Sequence, residues 1–115
     1  MEEQIEIIKA EYEELIQKIK QSLPIKAFPT RELVAKIRDK HPKLTLKSKF
    51  LIKDVMNTGD ISGILCIIEC EDAHGLACAL THIYIAQSEP LRNAIEKYQK
   101  RRGKRVERQN YQARN

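Results

Sequence analysis

Residues 43–85 read KLTLKSKFLIKDVMNTGDISGILCIIECEDAHGLACALTHIYI, and the parsing of this stretch decides the fold. All three cysteines lie in it. Two runs rich in β-branched and apolar residues flank the polar loop Glu-Asp-Ala-His-Gly. That pattern predicts an antiparallel β-hairpin with strands over 61–71 and 76–85. Upstream, Thr45 or Ser48 is a candidate cap for a helix reaching Asn57, with Gly59 just past its end. Its inward side is Leu46, Phe50, Leu51 and Val55, while Lys47, Lys49, Lys53 and Asn57 fall largely opposite. Residues 50–56 also alternate as a strand does, which replaces that helix by a third strand of a meander. Periodicity over so short a segment does not separate the two, and the helix is the leading expectation.

Working outward, Thr30 after Pro29 predicts an N-cap, with Leu33, Val34 and Ile37 on the apolar face of a helix over 30–40. Ahead of it, Ile5, Ile8, Tyr12, Leu15, Ile19 and Leu23 recur three or four apart and predict a helix over 2–22 that ends before Pro24. Its stripe packs on its own domain or, being heptad-like, forms a homodimer seam. Residues 25–28 read as a connector with Phe28 buried. Beyond the hairpin, Pro90 opens a last helix whose buried stripe is Leu91, Ala94, Ile95 and Tyr98. The expectation is a small single α+β domain over 1–99: an N-terminal helix, a helix pair, a two-stranded antiparallel hairpin and a C-terminal helix. Residues 100–115 form a basic extension, frayed unless bound.

Length and composition agree with one soluble globular domain: 115 residues, 42% hydrophobic and 32% charged. No run is long enough to span a bilayer, and the N-terminus has no basic signal-peptide region. An odd count of three cysteines suits a reducing, cytoplasmic setting. The net charge of +5 is segregated: residues 1–16 carry −5, 17–58 carry +8, 59–90 carry −5 and 91–115 carry +7. Two basic blocks around an acidic hairpin point to a polyanion or an acidic partner surface.

Residues 30–85 resemble the winged-helix superfamily: a short helix, a turn, a second helix ending at Asn-Thr-Gly-Asp, then a hairpin opening with Ile-Ser-Gly. In that family the second helix enters the major groove of DNA. The resemblance implies DNA contacts from Lys47, Ser48, Lys49, Lys53 and Asn57. Family members also touch the backbone with the hairpin tip. Here the tip holds Glu69, Glu71 and Asp72, which repel phosphate, so that contact is not carried over.

Cys66, Cys70, His74, Cys78 and His82 follow one another at intervals of four. Thiolate and imidazole are what zinc prefers, which makes Cys66, Cys78 and His82 candidate ligands. On strands that interval separates each pair by about 13 Å, so no pair chelates within its own strand. Convergence depends on the hairpin: a loop with an odd number of residues puts even-numbered positions of both strands on one face. The expectation is buried, metal-free cysteines and no cofactor. His82 belongs to no nucleophile–carboxylate motif and no phosphate loop is present, so no enzyme is indicated. The strongest functional signal is Lys97, Lys100, Arg101, Arg102, Lys104, Arg105 and Arg108, seven bases in twelve residues with Tyr98 and Tyr111 nearby. Such a run suits phosphate contacts and base stacking. The leading expectation is a non-catalytic nucleic-acid-binding regulator or accessory factor, with DNA ahead of RNA. The alternative is a protein-interaction module or homo-oligomer that uses the acidic hairpin and the basic tail.

Overall fold

The stretch at 50–57 is a strand, and the architecture follows from that. The computed structural model describes the backbone of residues 2–59 and 63–114 and the side chains of residues 10–59 and 63–103. In chain order its elements are α1 (Glu2–Ser22), β1 (Ile25–Pro29), α2 (Arg31–Ile37), β2 (Phe50–Asn57), β3 (Ile64–Glu69) and β4 (Leu76–Ala79). A 3-10 turn (Leu80–His82), β5 (Ile83–Ile85) and α3 (Arg92–Arg114) complete them. All strand pairs are antiparallel, in one sheet of order β4-β3-β2-β1-β5. Among the described residues, then, the chain is a small α+β domain of three helices and a five-stranded sheet. No described helix is long and apolar enough to cross a membrane.

Four expectations change. The helix over 45–57 is replaced by turns and β2, so α2 has no helical partner and there is no helix pair among the described residues. The reason is a β-bulge: the register of β2 against β3 shifts between Ile52 and Asp54, leaving Lys53 as the extra residue. Buried Phe50, Ile52 and Val55 are therefore spaced two and then three apart, which breaks strict alternation and imitates a helical face. The connector over 25–28 is strand β1, whose alternate side chains Ile25, Ala27 and Pro29 are buried. Phe28 points the other way and is exposed, because strand neighbours face opposite sides of a sheet.

The fourth change concerns the hairpin. Its first strand is β3, and the expected start at 61–62 lies outside the described residues. Its second strand divides at Thr81 and His82 into β4, beside β3, and β5, at the far edge beside β1. In a flat sheet those edges would stand about 19 Å apart, four spacings of ~4.8 Å. A three-residue turn at ~2 Å rise per residue cannot reach so far, so the sheet curls to bring β4 and β5 together.

The other expected helices form, with some ends changed. Oγ1 of Thr30 accepts a hydrogen bond from the N–H of Leu33 at 3.2 Å and caps α2, which ends at Ile37 rather than 40. Ile16 and Ile19 of α1 and Ile95 and Tyr98 of α3 are buried in the same core as the inward face of the sheet. Tyr12 and Tyr98 meet edge-to-face at 5.1 Å and tie the two helices together. The side chains of Ile5 and Ile8 lie outside the described residues. Backbone helix continues from α3 past position 99, and Arg102 is part of the packed domain.

Candidate nucleic-acid interface

The alternation that buries Ile25, Ala27 and Pro29 turns Lys26 and Phe28 to the opposite face of β1. The same alternation in β5 buries Ile83 and Ile85 and turns Tyr84 outward. Phe28 and Tyr84 are direct partners in the β1–β5 register, so their side chains stand on one side of the sheet. Phe28 is 36% and Tyr84 61% exposed.

A cleft lies on each side of this aromatic pair. One, of about 780 Å³, is lined by Phe28, Lys26, Lys47 and Lys49 together with Glu69, Glu71 and Asp72. The other, of about 960 Å³, is lined by Tyr84, Arg31 and Lys100 together with Glu32 and Glu96. The carboxylates are partly committed elsewhere. Glu69 pairs with Lys53 at 3.4 Å, and Glu96 pairs with Arg92 at 2.9 Å. Asp72 accepts a hydrogen bond from the Ser48 hydroxyl at 2.9 Å. Lys26, Lys47, Lys49, Arg31 and Lys100 form no ion pair with a described carboxylate.

The residues singled out from sequence are thus dispersed. Lys47 and Lys49 share the first cleft, and Lys100 lines the second. Lys53 sits on the bulge of β2 with its ammonium on Glu69. Ser48 is only 4% exposed and is occupied within the fold: its hydroxyl also accepts from the N–H of Thr45. Asn57 uses its side-chain oxygen to hold the N–H of Gly59 at 3.0 Å, closing the turn after β2. Lys97 and Arg101 line a third depression between α1 and α3, where Arg101 meets Glu11 at 3.1 Å. Arg102 is 5% exposed and is not a surface cation. It continues the Leu91, Ile95, Tyr98 stripe of α3, so its apolar stem packs inward. The side chains of Lys104, Arg105 and Arg108 lie outside the described residues. Lys26, Arg31 and Tyr84 are not among the residues expected from sequence, and Phe28 was expected inside; the two-residue alternation in 25–29 and 83–85 was the available signal for Lys26, Phe28 and Tyr84.

Of the metal candidates, Cys66 and Cys78 sit in the core and His82 is half-buried. Cys66 and Cys78 are direct partners across β3 and β4, as the odd number of residues between the paired Ile68 and Leu76 requires. Both are buried thiols, and His82 stands beyond them in the 3-10 turn. No group of three His, Cys, Asp or Glu among the described residues is arranged to hold a metal ion. Burial pushes the Cys66 thiol up, and neighbouring Cys78 adds to the effect. Burial likewise pushes Cys78 from 9.0 up to about 11. Only the thiolate attacks an alkylating reagent, so below pH 11 the folded state holds back reaction. At pH 8 Cys78 of the folded protein is expected to react with iodoacetamide about a hundredfold more slowly than in denaturant, with the rate climbing as pH rises toward 11. Intact mass against time at three pH values tests this; equal rates in folded and denatured protein contradict it.

No protein-family model, curated protein or solved structure matches this chain.

Proposed function

We propose that this protein binds nucleic acid without catalysing a reaction on it, through the two clefts beside the β1–β5 pair. The observation that carries the proposal is the set of five cations from three separate elements and a loop. Lys26, Lys47, Lys49, Arg31 and Lys100 ring these clefts without a described carboxylate partner. Cations without a paired carboxylate in neighbouring clefts are an arrangement that a polyanion stabilises. The basic run after Gly103 adds charge to the same protein. A cytoplasmic regulator or accessory factor is the role such a domain suits. The duplex contact implied by a recognition helix is not part of the proposal, since 50–57 is a strand.

The test is binding of full-length protein to unrelated labelled oligonucleotides between 50 and 200 mM salt. Each phosphate contact contributes about 0.7–0.9 to the slope of log affinity against log salt. Replacing Lys47, Lys49 and Lys100 with alanine is expected to make that slope shallower by about two, equally for unrelated sequences. Absence of binding at low salt overturns the proposal.

A second reading rests on the outward side of β2 and β3, where Leu51, Met56, Leu65 and Ile67 are half-buried or exposed. That strip fits a protein-interaction module or a homodimer. Sedimentation across a hundredfold concentration range separates it from the first.

A further inference from the structure

We propose that Phe28 and Tyr84 form a stacking platform for two consecutive unpaired bases, which makes the preferred ligand a single strand rather than a duplex. The inference rests on the nucleic-acid reading above and names the form of ligand that reading leaves open.

Aromatic side chains are scarce in this chain, two Phe and four Tyr. Phe50 and Tyr98 are buried in the core, and Tyr12 leans on Tyr98. Phe28 and Tyr84 are instead side by side on an outward face, at a directly opposed register position with neither ring buried. Opposed side chains in an antiparallel pair start about 4.5–5.5 Å apart at Cβ, within the reach of adjacent nucleotides of one strand. A ring of this kind offers a base its flat face, and every base has one, so the contact is tolerant of sequence.

The charges follow the rings. The Ala27–Phe50 pairing, continued by one residue, sets Lys49 opposite Phe28, and both line one cleft with Lys26 and Lys47. Arg31 and Lys100 flank Tyr84 in the other cleft. A strand laid across β5 and β1 therefore meets cations at both ends and rings in the middle. Glu69, Glu71 and Asp72 share the first cleft, where Glu69 is paired with Lys53 and Asp72 with the Ser48 hydroxyl. A duplex has its base faces occupied by its own stack and can use the cations alone. An acidic peptide would use the cations too, but it has no flat aromatic face for the rings.

The experiment is fluorescence anisotropy with full-length protein, a labelled single-stranded 12-mer of thymidine or uridine, and a duplex of the same length. Base–aromatic stacking is worth between about fivefold and a hundredfold in affinity per base. The F28A/Y84A double variant is expected to lose at least tenfold in single-strand affinity, with salt slope and duplex affinity unchanged. Tyr84→Phe is expected to retain binding, because it keeps the ring. The chain has no tryptophan, so Tyr84→Trp gives a sole indole whose emission is quenched when a base stacks on it. Both positions are exposed, and an unchanged thermal melt checks that the variants fold. An equal loss for single strand and duplex, no loss at all, or a changed sedimentation coefficient without a binding defect overturns the platform while leaving the charge-based reading standing. Failure of the unaltered protein to bind either probe removes both.

Discussion

Gly63→Ala is expected to destabilise the protein by about 3 kcal/mol or more, the sum of backbone strain and overpacking. Gly63 sits at φ +69°, where a side chain crowds the following carbonyl at a cost of about 1–2 kcal/mol. A Cβ there also drives directly into the Tyr98 hydroxyl and comes within 3.2 Å of the Arg102 Nε. The nearer neighbour, the Tyr98 hydroxyl, is held in place. The Tyr98 hydroxyl accepts the buried N–H of Ile64 at 2.9 Å, and its ring holds Tyr12 of α1. The glycine itself is pinned, since its carbonyl accepts from both the N–H and the hydroxyl of Thr58. Gly75→Ala provides the control. It has φ +67° and nothing within 4 Å of the added methyl, so it carries the strain alone, about 1–2 kcal/mol. Urea unfolding of the two variants isolates the contact as their difference. Removing the Tyr98 hydroxyl in Gly63→Ala/Tyr98→Phe makes room for the methyl, so the double variant should cost at least about 1 kcal/mol less than the single losses added together. Equal stability of the Gly63 and Gly75 variants would remove Tyr98 from its place as the link between α3 and the start of β3.

That link was invisible in the sequence, and the reason is general to what the sequence did and did not reveal. Local signals were legible. The stripe through Tyr12, Leu15 and Ile19, the Thr30 cap and the Ile95–Tyr98 face all depend on neighbours within one helix, and the structure has them. Whether Cys66 and Cys78 share a face hung on the parity of the β3–β4 loop, which the sequence left open and the register settles by pairing them directly. Pairings between distant segments were not legible. Nothing within 76–85 says that Leu76–Ala79 stays beside β3 while Ile83–Ile85 crosses to β1; only closure of the curled sheet decides it. The candidate site inherits that blindness, because it exists through a pairing between residues 28 and 84. Five-residue β1 was too short to stand out, although its alternation was written plainly. Arg102 misled in the opposite sense. Its charge marked it for the surface, while its position four residues after Tyr98 put it on the buried stripe.

Ile52→Ala is expected to cost about 3–4 kcal/mol and Leu51→Ala under about 1.5 kcal/mol, and this pair decides between strand and helix at 50–57. In β2, Ile52 is 0% exposed, opposite Ile25 of β1 and Ile68 of β3 in the middle of the sheet. Deleting its outer carbons leaves a cavity walled by two other strands, with little freedom to collapse. Leu51 points to the outer face beside Lys26 and Glu69, where truncation removes partly hydrated surface. A helix with Phe50, Leu51 and Val55 inward reverses the order, since Leu51 then belongs to the core and Ile52 to its flank. The bulge makes both patterns look alike up to this point: Phe50 and Val55 are buried in either, and only residues 51 and 52 exchange faces. Guanidinium unfolding of both variants reads the answer without a new structure. A larger loss at Leu51 than at Ile52 would put a helix back at this position, and with it would go the central strand, the β1–β5 edge and the side of the molecule on which Phe28 meets Tyr84.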